Sequence, residues 1–342
     1  MSATPVRVAV IGCGRCAQDH IQAYQRLPEA RIVAVADTDQ RHAESAATQT
    51  GAHAFTDYRK LLKEEQPDAV SICTPPATHA EITLQALAAG AHVLCEKPLT
   101  ITLADAKRVV RAAQERGRVL MMASKFRFVE DIVKAKGIIE SGILGRLALF
   151  ENVFCSRVDM RDRWNSRKAL AGGGVLFDNG THSVDIARFL LGEIITVQAQ
   201  HGIQVQELEV EDTSRLSFQT RTGVMGTIDV SWSLQKDAEN YITLFGTEGT
   251  LSIGWRSSKY RQSSHTDWVV FGEGYKKQQA FLGQLGHFVR CAQGEEEPIV
   301  TPTDGLESVR VIEAAYRSSA VNKWMELEPL MREAAHGARR RA

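Results

Sequence analysis

Val6-Arg7-Val8-Ala9-Val10-Ile11-Gly12-Cys13-Gly14-Arg15-Cys16-Ala17 decides the fold. The apolar run has the composition of a strand, and it breaks directly into two glycines. Gly12 allows a tight turn, and Gly14 lets the backbone come close to a pyrophosphate. Ala17 sits where a small residue keeps the following helix tight on its strand. Arg15 and Cys16 supply amides at the helix start, where free N–H groups and the dipole favour an anion. Arg31 to Ala36 reads as a second strand, with Asp37 at its carboxyl end, about 20 residues past the glycines. A carboxylate there accepts hydrogen bonds from the ribose hydroxyls and repels a 2′-phosphate, so NAD is favoured over NADP. Arg41, four residues on, is the residue that would favour the phosphate instead.

A chain of 342 residues is long for one core and comfortable for two domains. Hydrophobic residues make up 44% and charged residues 24%, the balance of a globular protein in water. Lysine plus arginine (41) equals aspartate plus glutamate (41), so no global field invites nucleic acid or an anionic membrane. No apolar stretch approaches the ~18 residues of a membrane span, and the start lacks a secretory pattern, which points to the cytoplasm. Arg339-Arg340-Arg341 reads as part of a solvated tail.

Cys13 and Cys16 form a C-x-x-C, the spacing of a redox pair, but both lie in the glycine loop. No second C-x-x-C completes a four-sulfur zinc site, and the histidines show no metal spacing, so no metal is expected. The six cysteines read as small buried hydrophobes in a reducing compartment.

Residues 1–125 alternate strand and helix signals at the spacing of a doubly wound parallel sheet, a Rossmann domain. Helices are expected from Asp39 to Thr50, around Tyr58-Leu61-Leu62, from a capping box at Thr78-His79-Ala80-Glu81 to Gly90, and from Thr102. Strands are expected at Asp68–Cys73, His92–Cys95 and Val119–Ala123. Residues 126–330 read differently. A bridging helix (Phe128 to Ser141) leads to strand signals at Leu147–Ser156, Ile195–His201, Thr213–Phe218, Val224–Trp232, Tyr241–Phe245 and Leu251–Trp255. Helices are expected at Val175–Leu191, Gln278–Gln293 and Asp304–Asn322. This is an α+β domain with a large, mostly antiparallel open sheet, helices on one face and an apolar other face that calls for a second copy. Residues 331–342 form a flexible tail.

Three motifs beyond the glycine loop carry chemistry. Cys95-Glu96-Lys97-Pro98 ends a strand, and in open α/β sheets ligands bind outside the carboxyl ends of strands, so Lys97 points toward the cofactor's redox end. Thr74-Pro75-Pro76 ends another and would lie along the cofactor's ribose. In Gly172-Gly173-Gly174-Val175-Leu176-Phe177-Asp178-Asn179-Gly180-Thr181-His182, Asp178 and His182 are four apart on one helical face. The glycines before them permit close backbone approach. Alternatively these are a surface lysine and the polar side of an amphipathic helix.

Taken in order, these residues resemble the glucose–fructose oxidoreductase/inositol dehydrogenase (Gfo/Idh/MocA) family over nearly the whole chain. The match runs through Gly12-x-Gly14-x-x-Ala17 with Asp37, Thr74-Pro75 with His79, and Glu96-Lys97-Pro98. It continues through Phe126-Arg127-Phe128, Gly142-Ile143-Leu144-Gly145, Gly172-Gly173-Gly174, Asp178 with His182, and Ala314-Ala315-Tyr316-Arg317-Ser318. The resemblance implies hydride transfer between NAD and a secondary alcohol or ketone of a sugar, amino sugar or cyclitol. It also implies homodimers or homotetramers built through the open sheet, and it assigns catalysis to Lys97, Asp178 and His182. Glu96 and His79 are then expected beside the cofactor.

On physical grounds His182 is the natural general base, Asp178 orients it or holds a neighbouring hydroxyl, and Lys97 stabilises the oxygen as it gains charge. The loop carrying Arg157, Arg161, Arg163, Trp164, Asn165, Arg167 and Lys168 suits a polyhydroxylated ring, or a substrate carboxylate or phosphate, or is a solvated basic loop. Arg127 is a further substrate-binding candidate. Three other functions fit the same residues: NAD-using glycoside cleavage, reduction of dihydrodiols or tetrapyrroles, and non-catalytic dinucleotide sensing.

Overall fold

In the computed structural model, which describes residues 4–328, the chain builds two sheets. The tail expected at residues 331–342 lies outside the described residues. In chain order the first part contains β1 (Val6–Ile11), α1 (Arg15–Tyr24), β2 (Ala30–Ala36), α2 (Gln40–Thr50), β3 (His53–Phe55) and α3 (Tyr58–Glu65). It continues with β4 (Ala69–Ile72), α4 (His79–Ala88), β5 (His92–Glu96), α5 (Leu103–Arg116) and β6 (Leu120–Ala123). All six strands pair in parallel in the order β3-β2-β1-β4-β5-β6. The order reverses direction between β1 and β4, which opens a crevice at their carboxyl ends. Helices cover both faces, so the strands read as continuous apolar runs; Val8, Ala9, Val10, Val70 and Val93 are fully buried.

The second part begins with a 3-10 turn (Lys125–Phe128) and α6 (Glu130–Glu140). It continues with β7 (Leu147–Cys155), a 3-10 turn (Trp164–Ser166), α7 (Lys168–Ala171), α8 (Val175–Leu191), β8 (Ile194–His201), β9 (Thr213–Thr220) and β10 (Met225–Ser231). Then come β11 (Asn240–Gly246), β12 (Gly249–Gly254), β13 (Ser258–Gln262), β14 (Val269–Gly272), α9 (Lys277–Ala292), α10 (Pro302–Val321) and β15 (Met325–Glu326). The nine strands lie in the order β14-β13-β12-β11-β7-β10-β9-β8-β15. β7 and β10 pair in parallel and the other neighbours antiparallel. α6, α8 and α10 pack on one face over a core that includes Leu176, Val184, Leu216, Ile228, Leu244 and Ile312.

Three features differ from the sequence reading. β3, β13 and β14 were not expected: β3 is three residues long, and Ser258-Lys259-Tyr260-Arg261-Gln262 carries no apolar alternation. The Thr78 capping box does not form, because Thr78 Oγ1 donates to Thr74 Oγ1 (2.7 Å) and Pro75 O (2.9 Å). The outer face of the nine-stranded sheet is mostly polar. Register places Ser217, Thr227, Glu151, Thr243, Ser252 and Lys259 side by side there, with an apolar row at Met225, Leu149 and Phe245 and single apolar residues at Val153 and Val270.

Packing also cuts across the expected division at residue 125. Phe281, Leu285, Phe288 and Val289 of α9 belong to the core of the first sheet, where α9 packs on α1 and on the turn Lys125–Phe128. α10 spans both cores, giving Leu306 and Val309 to the first and Val311, Ile312 and Ala315 to the second. Late helices thus tie the two sheets together around the crevice.

Candidate active site

Gly12 has φ +88°, and a Cβ there would lie 2.7 Å from the Cys73 carbonyl carbon, so the turn requires glycine. Gly14 caps α1, and a Cβ built on it meets no atom within 4 Å. That open space before a helix start is the cradle that fits a pyrophosphate. Asp37 Oδ2 accepts from the Cys13 amide at 2.8 Å and Oδ1 from the Asp39 amide at 2.9 Å, which fixes the carboxylate beside the glycine loop. Arg41 forms a two-pronged surface pair with Asp39 (3.2 and 2.7 Å), so its guanidinium is engaged away from Asp37. Thr74 and Pro75 are half-buried at the end of β4, along the same crevice. The donor set fits NAD, which would be held by the loop Gly12–Ala17, Asp37 and the ends of β4 and β5.

The loop thiols are not a redox pair in this setting. Burial, then Asp37, pushes the Cys13 thiol up to about 12, and burial, then Glu96, raises that of Cys16, so both stay protonated at neutral pH. Cys16 and His20 are four apart on α1 and meet Glu96, with one candidate ligand atom of each within 4.8 Å of the others. The sequence reading missed this cluster, because Glu96 arrives from β5. As it stands the cluster is hydrogen-bonded: His20 Nε2 pairs with Glu96 Oε1 (2.9 Å), His20 Nδ1 with Ser71 Oγ (3.3 Å), and Ser71 with Tyr24 (2.7 Å).

That network holds the Glu96 carboxylate between His20 and Cys16 of α1, at the start of which the glycine loop ends. Burial pushes its carboxyl up, but His20, with Lys97 and Lys125, overrides burial and holds it at about 2. Its other oxygen accepts from the Lys97 amide at 3.1 Å. His79, expected beside the cofactor, opens α4 with its ring closed inside the protein. It is fully buried, its nitrogens face the carbonyls of Pro98 and Thr74 (2.8 Å each), and it staples the β4 and β5 exits together.

Lys97 extends from the end of β5 to α8 of the other sheet, where its ammonium donates to the Asp178 carboxylate and, at 3.3 Å, to the Asp178 carbonyl. Burial works against its charge, and the adjacent Asp178 outweighs burial and raises the pKa. His182, one turn further along α8, packs its ring edge-on to Phe126 (centroids 5.2 Å apart). No hydrogen bond engages its nitrogens among the described residues. Burial first, then Lys97 and Lys125, pushes the imidazole well below its ordinary pKa. A cationic amine thus touches Asp178 on α8, and its charge acts on a neutral imidazole one turn further along that helix.

What aims α8 is its start. A Cβ on Gly174 would lie 1.9 Å from the Glu211 carbonyl oxygen, and one on Gly173 would lie 2.1 Å from the Tyr316 hydroxyl. Gly172 has φ +85° and faces Ile101. The Glu211 carboxylate accepts from the amides of Gly174 and Leu176 (3.1 Å) and from Tyr316 (2.6 Å), closing the helix N-terminus. The close approach these glycines permit is made by the protein's own groups, the Glu211 backbone and the Tyr316 hydroxyl.

Arg127 is also corrected. It is buried, with Nε and Nη2 bonded to Asp185 (3.0 and 2.7 Å), Nη2 3.1 Å from Asp304, and Nη1 donating to the Ile299 carbonyl at 3.1 Å. Four of its five N–H groups are thus taken up inside the protein. Trp164 and Asn165 are half-buried on their 3-10 turn, followed by α7, which packs on Pro76–Thr78 of the first sheet's domain. No hydrogen bond joins them to Lys97, Asp178 or His182. Lys125, which the sequence reading passed over, stands two residues beyond β6, and its signal was that position at a strand exit next to Glu96 and Lys97.

Residues 6–124 match the family model described as "Oxidoreductase family, NAD-binding Rossmann fold", and residues 132–252 match the GFO/IDH/MocA C-terminal domain. The chain belongs to this family and is an NAD-dependent oxidoreductase. It is 28% identical to a D-apiose dehydrogenase of Paraburkholderia graminis, covering 95% of this chain and 91% of that one. It is 27% identical to the scyllo-inositol 2-dehydrogenase (NAD(+)) of Bacillus subtilis, covering 92% and 94%. A solved Agrobacterium radiobacter oxidoreductase in complex with NAD+, L-tartaric acid and magnesium superposes with a TM-score of 0.85 at 25% identity, covering 94% and 98%.

Proposed function

We propose that the chain moves hydride between NAD and a secondary alcohol or ketone of a sugar, amino sugar or cyclitol, at a centre made of Lys97, Asp178 and His182. The observation that carries this reading is the contact of Lys97, from the end of β5, with Asp178 on α8, one turn before His182 on the same helix. In oxidation, the His182 imidazole takes the proton of the reacting hydroxyl, and the Lys97 ammonium stabilises the oxygen as it gains charge. Asp178 keeps Lys97 charged and aimed. Bound NAD supplies the hydride acceptor, while the protein's task is to hold carbon and ring in line and to exclude water. Trp164 and Asn165, beside the crevice, would face the ring's C–H edge and hydroxyls.

The named activities of the relatives support this substrate class. Six unpaired thiols fit a reducing cytosol, and no helix among the described residues is long and apolar enough to cross a membrane. The apolar row Met225–Leu149–Phe245, framed by polar neighbours, suits a homodimer or homotetramer joined through the open sheet. A panel of sugars, amino sugars and cyclitols offered with NAD and with NADP, followed by absorbance of the reduced cofactor, tests the reading. NADH formation with at least one polyol and a preference for NAD are expected. Release of an aglycone from an aryl glycoside without net NADH would replace it with glycoside cleavage.

A further inference from the structure

Lys125 carries a charge that the proposed reaction does not use. It follows β6, whose Ala123 pairs with Glu96, so it stands at the carboxyl edge of the parallel sheet next to Lys97. Its ammonium is held over the faces of Phe281 (5.2 Å) and Phe126 (5.6 Å). Phe126 in turn is the ring that meets His182. Among the described residues no carboxylate lies within 4.0 Å of Lys125 and no hydrogen bond engages it, whereas Lys97 has Asp178 and Lys277 has Asp19. Two aromatic faces position this ammonium, and the charge that acts on it most, the Glu96 carboxylate, lies beyond ion-pair distance.

We infer that Lys125 is an electrostatic selector for the oxidation state of the cofactor, holding the reduced form more tightly than the oxidised form. The inference rests on Lys97 and His182 marking the reaction end of the crevice, because the redox ring has to lie there for both to reach the reacting carbon. The oxidised ring bears one positive charge that the reduced ring lacks. A fixed cation in a half-buried crevice repels the first and is indifferent to the second, so it favours hydride uptake and retention of NADH. Lys97 adds to this field, but Asp178 in direct contact offsets part of it, whereas Lys125 has no such contact. Burial and the neighbouring Lys97 lower the Lys125 pKa while Glu96 opposes them, the balance expected of a cation kept in place at a cost.

The test needs no sugar, so its failure is distinct from failure of the substrate assignment. Dissociation constants for NAD+ and NADH are measured by titration of the full chain and of Lys125→Met, with folding checked by thermal melting. The ratio Kd(NAD+)/Kd(NADH) is expected to fall about tenfold in Lys125→Met, the scale of one unit charge at several ångströms in a half-buried site. Lys125→Arg should keep the wild-type ratio. If Lys125→Met does not fold, Lys125→Gln, neutral and polar, carries the same measurement. An unchanged ratio, including equal weakening of both forms, would overturn the proposal.

Discussion

Gly12 and Gly14 open α1, and Gly172, Gly173 and Gly174 open α8; on paper the two stretches are alike. In the fold they do opposite things. Before Gly14 there is room, bounded by Asp37 and helix-start amides, where a ligand anion fits. Before Gly173 and Gly174 there is none, because Tyr316 and Glu211 fill it. One glycine turn is shaped for something that arrives, and the other fixes the aim of the helix that presents Asp178 and His182. Glycine spacing alone does not separate these uses, since it records only that something comes close.

If α8 exists to present chemistry while α1 holds the cofactor, substitutions in the two should fail differently. His182→Ala should lower kcat by about 10²–10⁴-fold, the usual worth of a positioned base, with NAD affinity within about threefold of wild type. Equal losses in turnover and NAD affinity would erase the distinction. Gly174→Ala places a methyl 1.9 Å from a backbone oxygen. It should cost about 3 kcal/mol in chemical denaturation, at the upper end for overpacking. Gly14→Val should leave that stability within about 1 kcal/mol and weaken NAD at least about tenfold by isothermal titration. The smallest effect is on pH dependence. Because burial and two lysines hold the His182 pKa well below its usual value, the base stays neutral as pH rises and is lost only as pH falls through that lowered value. The kcat/KM profile should therefore show no acid limb above about pH 6.5. A limb near that value would mean the imidazole is solvated.

Much of this was readable from local chemistry. The βαβ order, Asp37, Lys97 and the Asp178–His182 spacing each depend on residues close in sequence, and each sits where the pattern put it. What stayed hidden depends on partners far away along the chain. Arg127 looks like a free donor until Asp185 and Asp304 meet it, and the pairing of Glu96 with His20 appears only when α1 packs against the end of β5. α9 returns to the first sheet after some 150 intervening residues (126–276), a topology with no local signature. β13 was missed because its residues lack the apolar alternation that marks a half-buried strand.

The convergence of the two lobes on one reacting atom is open to direct measurement in a crystal structure of the ternary complex with NADH and a polyol identified by the panel. Lys97 Nζ and one His182 ring nitrogen should both lie about 2.6–3.2 Å from the same substrate oxygen. A polyol bound in the crevice with its reacting oxygen near neither, or near only one, would contradict a single centre shared by β5 and α8.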